Sequence, residues 1–320
     1  MVTRQTEASA RAAPSPPSSG ERVGVRGPSA SVDTPTSTNP VSTSCGALSS
    51  LTLSLSPEDR GEGTEQRPRF NGLFITGTDT GVGKTHVASL IVRQLRAEGR
   101  NVAAFKPACS GAAFDAAGCA HWDDLDRLRA ALGTEVVDDE LCPQRFLAPL
   151  TPPLAAKLEH RTVDVAAINA GLLRCGRRSD GVIIEGAGGW LCPLTEGTTF
   201  ADWVAAWGFP VLIVARPGLG TINHTLLTVE AIRSRRLSVA GIVFNETSAS
   251  ACDHSTATNA AEIEARSGVP VLGQVAFGAG SELLHGQRAV RIRWHTLMKD
   301  VSGPSSVVSG NDGTRVILPN

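Results

Sequence analysis

The sequence predicts an α/β fold: a single doubly wound, mainly parallel sheet with helices on both faces. Three observations carry this. An apolar run, Leu73–Thr76, enters a Gly-rich loop that closes on Gly83-Lys84-Thr85. Further β-branched runs follow at Val102–Phe105, Val182–Ile184, Val211–Val214 and Val239–Phe244. Stretches of helical spacing lie between them, such as Val87–Leu95, His224–Arg233 and Thr256–Arg266. Continuous apolar strands alternating with helices mark a parallel sheet buried on both faces. Ligands of such sheets sit beyond the carboxyl ends of the strands, so the residues just after each strand are the candidates for chemistry.

Composition narrows the function classes. A formal net charge of -1 and a pI near 6.7 argue against a nucleic-acid surface or a polybasic membrane binder. No segment approaches the ~20 continuous apolar residues that span a bilayer. The seven cysteines are scattered and none forms a Cys-x-x-Cys pair, which fits reduced thiols in a cytoplasmic enzyme. Residues 1–68 hold no aromatic residue and no lysine and are dense in Ser, Thr, Pro, Gly and Arg. Such a segment cannot bury enough apolar surface to order itself, so it reads as a disordered extension or a start assigned too early. The patterned domain runs over 69–280, and 281–320 reads as a C-terminal extension, mobile from Ser302 to Asp312.

The first strand leads into Thr78-Asp79-Thr80-Gly81-Val82-Gly83-Lys84-Thr85. Backbone N–H groups around Gly81 and Gly83 can turn inward, because glycine tolerates the dihedrals and lets a ligand approach. The helix that follows adds unsatisfied N–H groups and the positive end of its dipole. Lys84 would reach the outer phosphates of a nucleotide and the Thr85 hydroxyl would ligate Mg²⁺. The spacing is stretched, since Thr78 stands where the general pattern has its first Gly. A dinucleotide fingerprint is excluded, because His86 stands where the third Gly would be needed.

Gly99 reads as the end of that helix, and Lys106 closes the second strand. There it would be a second cation over transferring phosphoryl oxygens. Asp123, Asp124 and Asp126 open a helical pattern carried by Leu125, Leu128 and Leu132, and acidic helix starts usually compensate the dipole. Glu185 ends the Val182–Ile184 run and is followed by Gly186-Ala187-Gly188-Gly189-Trp190. That is the place of a second Mg²⁺ ligand in phosphate-loop enzymes. Gly220-Thr221-Ile222-Asn223 enters another helix whose bare N–H groups could hold a carboxylate. Trp190, Trp203 and Trp207 are read as packing aromatics.

Together these blocks resemble the dethiobiotin synthetase family, from about Phe70 to about Phe277. Thr76–Thr85 is similar to its opening signature, stretched spacing included, and Lys106-Pro107 with Ser110-Gly111 to its second block. Pro143-x-x-Phe146-x-x-Pro149-x-Thr151-Pro152, Glu185–Trp190 with Phe200-Ala201-Asp202-Trp203, and Gly220–His224 follow in order. The resemblance implies an ATP- and Mg²⁺-dependent cyclo-ligase of biotin biosynthesis acting on 7,8-diaminononanoate and CO₂. It implies a homodimer, with no nucleic acid or membrane involved.

By the same resemblance, Lys84, Lys106 and Thr80 would be catalytic. ATP would lie on Gly81, Val82, Gly83, Lys84, Thr85 and His86, with Asp124, Glu185, Gly186, Ala187 and Gly188 beyond the phosphates and Asn245 at the adenine. Thr80, Ser110 and Gly220–Asn223 would meet the diamine, the last group across the dimer. Thr85, Asp124 and Glu185 would hold Mg²⁺, with Asp123 the alternative to Asp124. Gly81 stands where well-known members carry Glu, and Ala276-Phe277 where many have Pro and Trp. Amide-forming relatives of the superfamily normally add a glutaminase domain for which this chain has no room. A partitioning ATPase would need a lysine early in the loop, at Thr78 or Asp79.

Overall fold

The computed structural model describes residues 69–249, 256–278, 282–285 and 288–302. Both the proposed disorder of 1–68 and the tail beyond Ser302 lie outside them. In chain order the elements are β1 (Arg69–Gly77), α1 (Lys84–Ala97), β2 (Val102–Phe105), β3 (Ala108–Ser110), β4 (Ala113–Phe114) and β5 (Ala120–His121). Next come α2 (Asp123–Leu132), α3 (Asp138–Leu141), β6 (Gln144–Phe146), α4 (Pro152–Leu158), α5 (Val165–Arg178) and β7 (Gly181–Glu185). The chain continues with α6 (Phe200–Trp207), β8 (Val211–Ala215), α7 (Thr221–Arg233), β9 (Val239–Asn245), α8 (Thr256–Ser267) and β10 (Val271–Val275). Last are β11 (Leu283–His285), β12 (Arg288–Val290), the 3₁₀ turn Trp294–Leu297 and β13 (Lys299–Ser302).

One nine-stranded sheet dominates, in the order β12-β11-β10-β9-β8-β1-β7-β2 with β13 as the ninth strand, paired to β1 off this path. The strands from β10 to β2 pair parallel. This is the doubly wound arrangement: β1 is central, β7 and β2 lie to one side, and β8, β9 and β10 to the other. Strands covered on both faces must be apolar throughout, and β7 and β8 are buried at every residue. Successive side chains of β1 serve opposite cores. Leu73 and Ile75 join α1 and α2, while Phe70 and Phe74 join Trp190, Trp203, Trp207 and Phe209. Tryptophans at 190, 203 and 207 are thus packing residues, with the Trp207 and Phe209 rings stacked at 5.6 Å. Thr199 and Asp202 cap α6 reciprocally in a capping box, and Arg235 holds the same carboxylate.

The sheet continues past the boundary that the sequence suggests near residue 280. β11 and β12 extend it antiparallel beyond β10, and β13 pairs antiparallel with the first residues of β1, from Arg69 opposite Ser302 to Gly72 opposite Lys299. β8 takes over that side of β1 from Phe74 onward. Trp294 is fully buried, and its indole Nε1 donates to Gln94 Oε1 at 2.8 Å. The same amide donates back from Nε2 to the Ile292 carbonyl at 3.3 Å. The segment therefore packs beneath α1. Trp294→Ala is expected to cost about 3–5 kcal/mol of stability, the range for deleting a large core aromatic. Urea unfolding would measure it, and a loss below ~1 kcal/mol would mean that the segment is not part of the cooperative fold.

Candidate active site

The parallel register assembles the site. Phe105 lies opposite Ile184 and Ile75 opposite Glu185, so Lys106, Glu185 and the loop leaving β1 emerge together at the carboxyl ends of their strands. Lys106 is 2% exposed and Glu185 1%. The Lys106 ammonium donates to Glu185 Oε1 at 2.8 Å and lies 2.7 Å from Asp124 Oδ2. Burial alone would lower the Lys106 pKa, but Glu185 and Asp124 outweigh it and hold the amine above its ordinary value. Burial pushes the Glu185 carboxyl up against the pull of Lys106. Asp124, less deeply placed, is held below its ordinary value because Lys106 and a hydrogen bond from Thr85 overcome its burial. One ammonium thus lies within hydrogen-bond range of two carboxylates.

Thr85 Oγ1 lies 2.7 Å from both Asp124 Oδ1 and Glu185 Oε1. A hydroxyl carries one proton and can donate to only one of them at a time. The other Glu185 oxygen, Oε2, is buried and meets no hydrogen-bond donor among the described residues. Converging hard oxygens, one of them unsatisfied, are the donor set that suits Mg²⁺, so Thr85, Asp124 and Glu185 could hold that ion. Asp123 does not join them: its side chain is 75% exposed and lies 3.8 Å from His121 Nδ1. The first turn of α2 therefore directs Asp124 inward and Asp123 outward.

The phosphate loop is shaped by backbone geometry. Gly81 and Gly83 have φ of 71° and 90°, the left-handed region that favours glycine. Asn245, at the end of β9, fills the space where a Gly83 Cβ would stand. Its Nδ2 donates to the Val82 carbonyl at 3.1 Å, so this asparagine props the loop from below. Lys84 is buried and donates to the Asp79 carbonyl at 3.1 Å. Burial lowers its pKa, Glu185 works against this, and Lys106 adds to it. His86 is kept below its ordinary range by burial, with Arg93 and Arg127 contributing.

After β7, Gly186 packs so closely on Phe74 that a Cβ would lie 2.7 Å from its ring, and Ala187 is half-buried. At Gly188 a Cβ would meet Cys192 Sγ at 2.9 Å and Thr80 Oγ1 at 3.7 Å. The glycine turn thus brings the β7 exit against Thr80.

Lys84, Thr85, Lys106, Asp124 and Glu185 therefore lie together at the strand ends, with Asn245 against the phosphate loop at Val82 and Gly83. Ser110 and Gly220–Asn223 make no hydrogen bond or ion pair to that group among the described residues. Ser110 Oγ donates to the Leu150 carbonyl at 2.6 Å. Gly220 caps α7 in the left-handed region at φ 88°, with Gly220 and Asn223 exposed. Sequence reasoning missed Arg216, whose Nη2 lies 3.3 Å from the Thr80 carbonyl and 3.4 Å from Asp79 Oδ2. Its signal was its place directly after a strand.

A central strand running into a glycine loop, a buried lysine on its helix and a carboxylate ending the neighbouring strand define a phosphate-loop nucleotide enzyme. In keeping with this, the family model described as an AAA domain matches residues 71–279. The ATP-dependent dethiobiotin synthetase BioD of Anaeromyxobacter dehalogenans strain 2CP-C is 50% identical over 194 residues, 61% of this chain and 84% of that protein. The enzyme of the same name from Anaeromyxobacter sp. strain Fw109-5 is 47% identical over 210 residues, 65% of this chain and 90% of that protein. The chain belongs to the dethiobiotin synthetase family. Chloroplast FtsY from Physcomitrella patens overlays at a TM-score of 0.38 and 13% identity, over 72% of this chain and 64% of that one.

Gly83 offers a direct test of the loop geometry. Gly83→Ala would combine a disfavoured φ with a clash against Asn245, and it is expected to weaken nucleotide binding about tenfold or more, the equivalent of ~1.4 kcal/mol of strain. Equilibrium titration with ATP reads this. Unchanged affinity would mean that the loop relaxes freely.

Proposed function

We propose that the chain converts ATP, CO₂ and 7,8-diaminononanoate into dethiobiotin, ADP and phosphate, as an ATP-dependent dethiobiotin synthetase of biotin biosynthesis. The observation that carries this reading is Lys106. An ammonium has three N–H donors, and two of them face Asp124 and Glu185. The third is left for an anion arriving at the strand ends, beside the lysine of the phosphate loop.

In this reading one substrate amine adds to CO₂ and loses a proton, giving a carbamate. A carbamate oxygen then attacks the γ-phosphorus, the bond to the bridging oxygen breaks, and ADP leaves. The second amine attacks the carbonyl of the resulting carbamic–phosphoric anhydride. Phosphate is expelled, a proton is lost, and the cyclic urea closes. The difficulty is bringing two anions, carbamate and triphosphate, into contact. Lys84 and Lys106 offset it as fixed cations in a site of low dielectric, where their charge is worth more than in water. Ring closure gains further because both amines belong to one held molecule.

Thr85, Asp124 and Glu185 would hold Mg²⁺, which when bound would supply positive charge to the triphosphate oxygens. Gly81, Val82, Gly83 and His86 would cradle the phosphates at the start of α1, with Gly186, Ala187 and Gly188 lining the opposite wall. The Asn245 amide nitrogen donates one N–H to Val82, and its oxygen would accept from the adenine amino group. Thr80 and Ser110 would position the diamine and carbamate. The start of α7 at Gly220–Asn223 would take the substrate carboxylate of a second copy in a homodimer. Among the described residues, no helix is long and apolar enough to cross a membrane, in keeping with action in the cytoplasm.

Phosphate release measured with ATP, Mg²⁺ and bicarbonate, with and without the diamine, tests the reaction. Release is expected to depend on the diamine, with dethiobiotin seen by mass and the active species sedimenting as a dimer. Release without the diamine would instead indicate a nucleotide switch. Lys106→Ala is expected to keep ATP binding and to lose turnover by about a hundredfold or more, the scale of removing one charge-stabilising group. Wild-type turnover in that variant would remove Lys106 from the mechanism.

A further inference from the structure

Arg216 is the first residue after β8, and it belongs to none of the strand-end motifs used above. β8 runs parallel beside β1, with Gly77 opposite Val214 and the Thr78 N–H donating to the Val214 carbonyl at 3.0 Å. That register delivers the Arg216 side chain next to the tip of the phosphate loop. Its Nη2 reaches Asp79 Oδ2 at 3.4 Å and the Thr80 carbonyl at 3.3 Å. The other oxygen of the same carboxylate, Asp79 Oδ1, accepts from the Thr80 N–H at 2.6 Å. Both backbone polar groups of Thr80 are thereby held from one side: its carbonyl directly by Arg216, its N–H through Asp79. The next residue is Gly81, in the left-handed region at φ 71° with open space around its Cα. The next support along the loop is the Asn245 amide on the Val82 carbonyl.

We propose that Arg216 is a positioning residue that orients Thr80 toward the diamine and its carbamate. This rests on the reading of Thr80 as a substrate contact. The arrangement does not look like a stability device. Arg216 is 51% exposed and Asp79 63%, and ion pairs so open to water contribute little to folding. It does resemble an orienting device. The Arg216 Nη2 carries two N–H groups, so one nitrogen of the planar guanidinium can engage the carboxylate and the carbonyl together. The Thr80 hydroxyl lies on the side of the loop that faces Gly188, where a Cβ would come within 3.7 Å of Thr80 Oγ1. Lys84, on the nucleotide side, is held separately by the Asp79 backbone carbonyl. Orientation of Thr80 and retention of the phosphates are therefore divided between a side-chain clamp and a backbone contact.

The test separates diamine from nucleotide. Arg216→Ala is expected to raise the KM for 7,8-diaminononanoate about tenfold, the scale of a small misplacement of a reacting group. ATP affinity, measured without diamine, and the thermal midpoint should stay at wild-type values. Arg216→Lys should recover part of the loss. Asp79→Asn should raise the same KM, and combining it with Arg216→Ala should add little, because both changes break one clamp. An unchanged diamine KM in Arg216→Ala would overturn the proposal. So would an equal rise in the ATP dissociation constant, which would make Arg216 a phosphate contact. Failure of the underlying reading is distinguishable, since wild-type protein would then show no diamine-dependent turnover at all.

Discussion

Lys106 sits at the carboxyl end of β2, 2% exposed, with two carboxylates within 2.8 Å, and that contact sets the terms for everything around it. An ammonium or a carboxylate taken alone into such a place would lose several kcal/mol of hydration. Together they are tolerable only if each finds its partner, so the ends of β2, β7, α1 and α2 must meet within a few tenths of an ångström. A slip of one residue between β2 and β7 would turn one of the two side chains to the opposite face of the sheet. The continuous burial of β7 and β8 makes that slip costly and fixes the register. The charge cluster is thus expensive by itself, and the hydrophobic sheet holds it in place. Its reward is a set of cations and oxygens oriented before any ligand arrives.

The phosphate loop follows the same logic with backbone instead of charge. Its two left-handed glycines leave it few side chains of its own, so its shape is imposed by neighbours. Asn245 supports the Val82 carbonyl and fills the space above Gly83. Asp79 collects the Lys84 ammonium, the Thr80 N–H and the Arg216 guanidinium. Each support comes from a different strand end, β9 for Asn245 and β8 for Arg216. A parallel sheet is well suited to this, because every strand delivers its last residue to the same edge.

Much of this was legible in the sequence, for one physical reason. Strands buried on both faces announce themselves as unbroken apolar runs, and the residue that breaks each run is the one at the working edge. Lys106 and Glu185 could be picked out in that way, whereas Asn245 came from the family resemblance. Asp124 could not be separated from Asp123, since both lie in the acidic first turn of α2, and acidic residues there are favoured by the dipole alone. Only the angular position of each residue around the helix distinguishes them. Arg216 was not singled out, although it is the first residue after the Val211–Val214 run and Ala215. The C-terminal strands were not visible either. Lys299-Asp300-Val301-Ser302 has no run of apolar residues, and it becomes a strand only because the exposed edge beside Arg69–Gly72 offers partners far away in sequence.

That last pairing bears on how chemistry and stability are divided in this chain. The match to the family model stops at residue 279, whereas the sheet and core continue to residue 302. The added segment reaches no residue of the charge cluster among the described contacts. It acts on α1, where Trp294 and the Ile292 carbonyl clasp Gln94. Gln94 lies ten residues beyond Lys84 on the same helix, roughly 15 Å along its axis at 1.5 Å per residue. The first turn of that helix is where Lys84 and Thr85 are mounted. The charge cluster is thus mounted on strand ends, while the chain beyond residue 279 packs on the helix that carries Lys84 and Thr85.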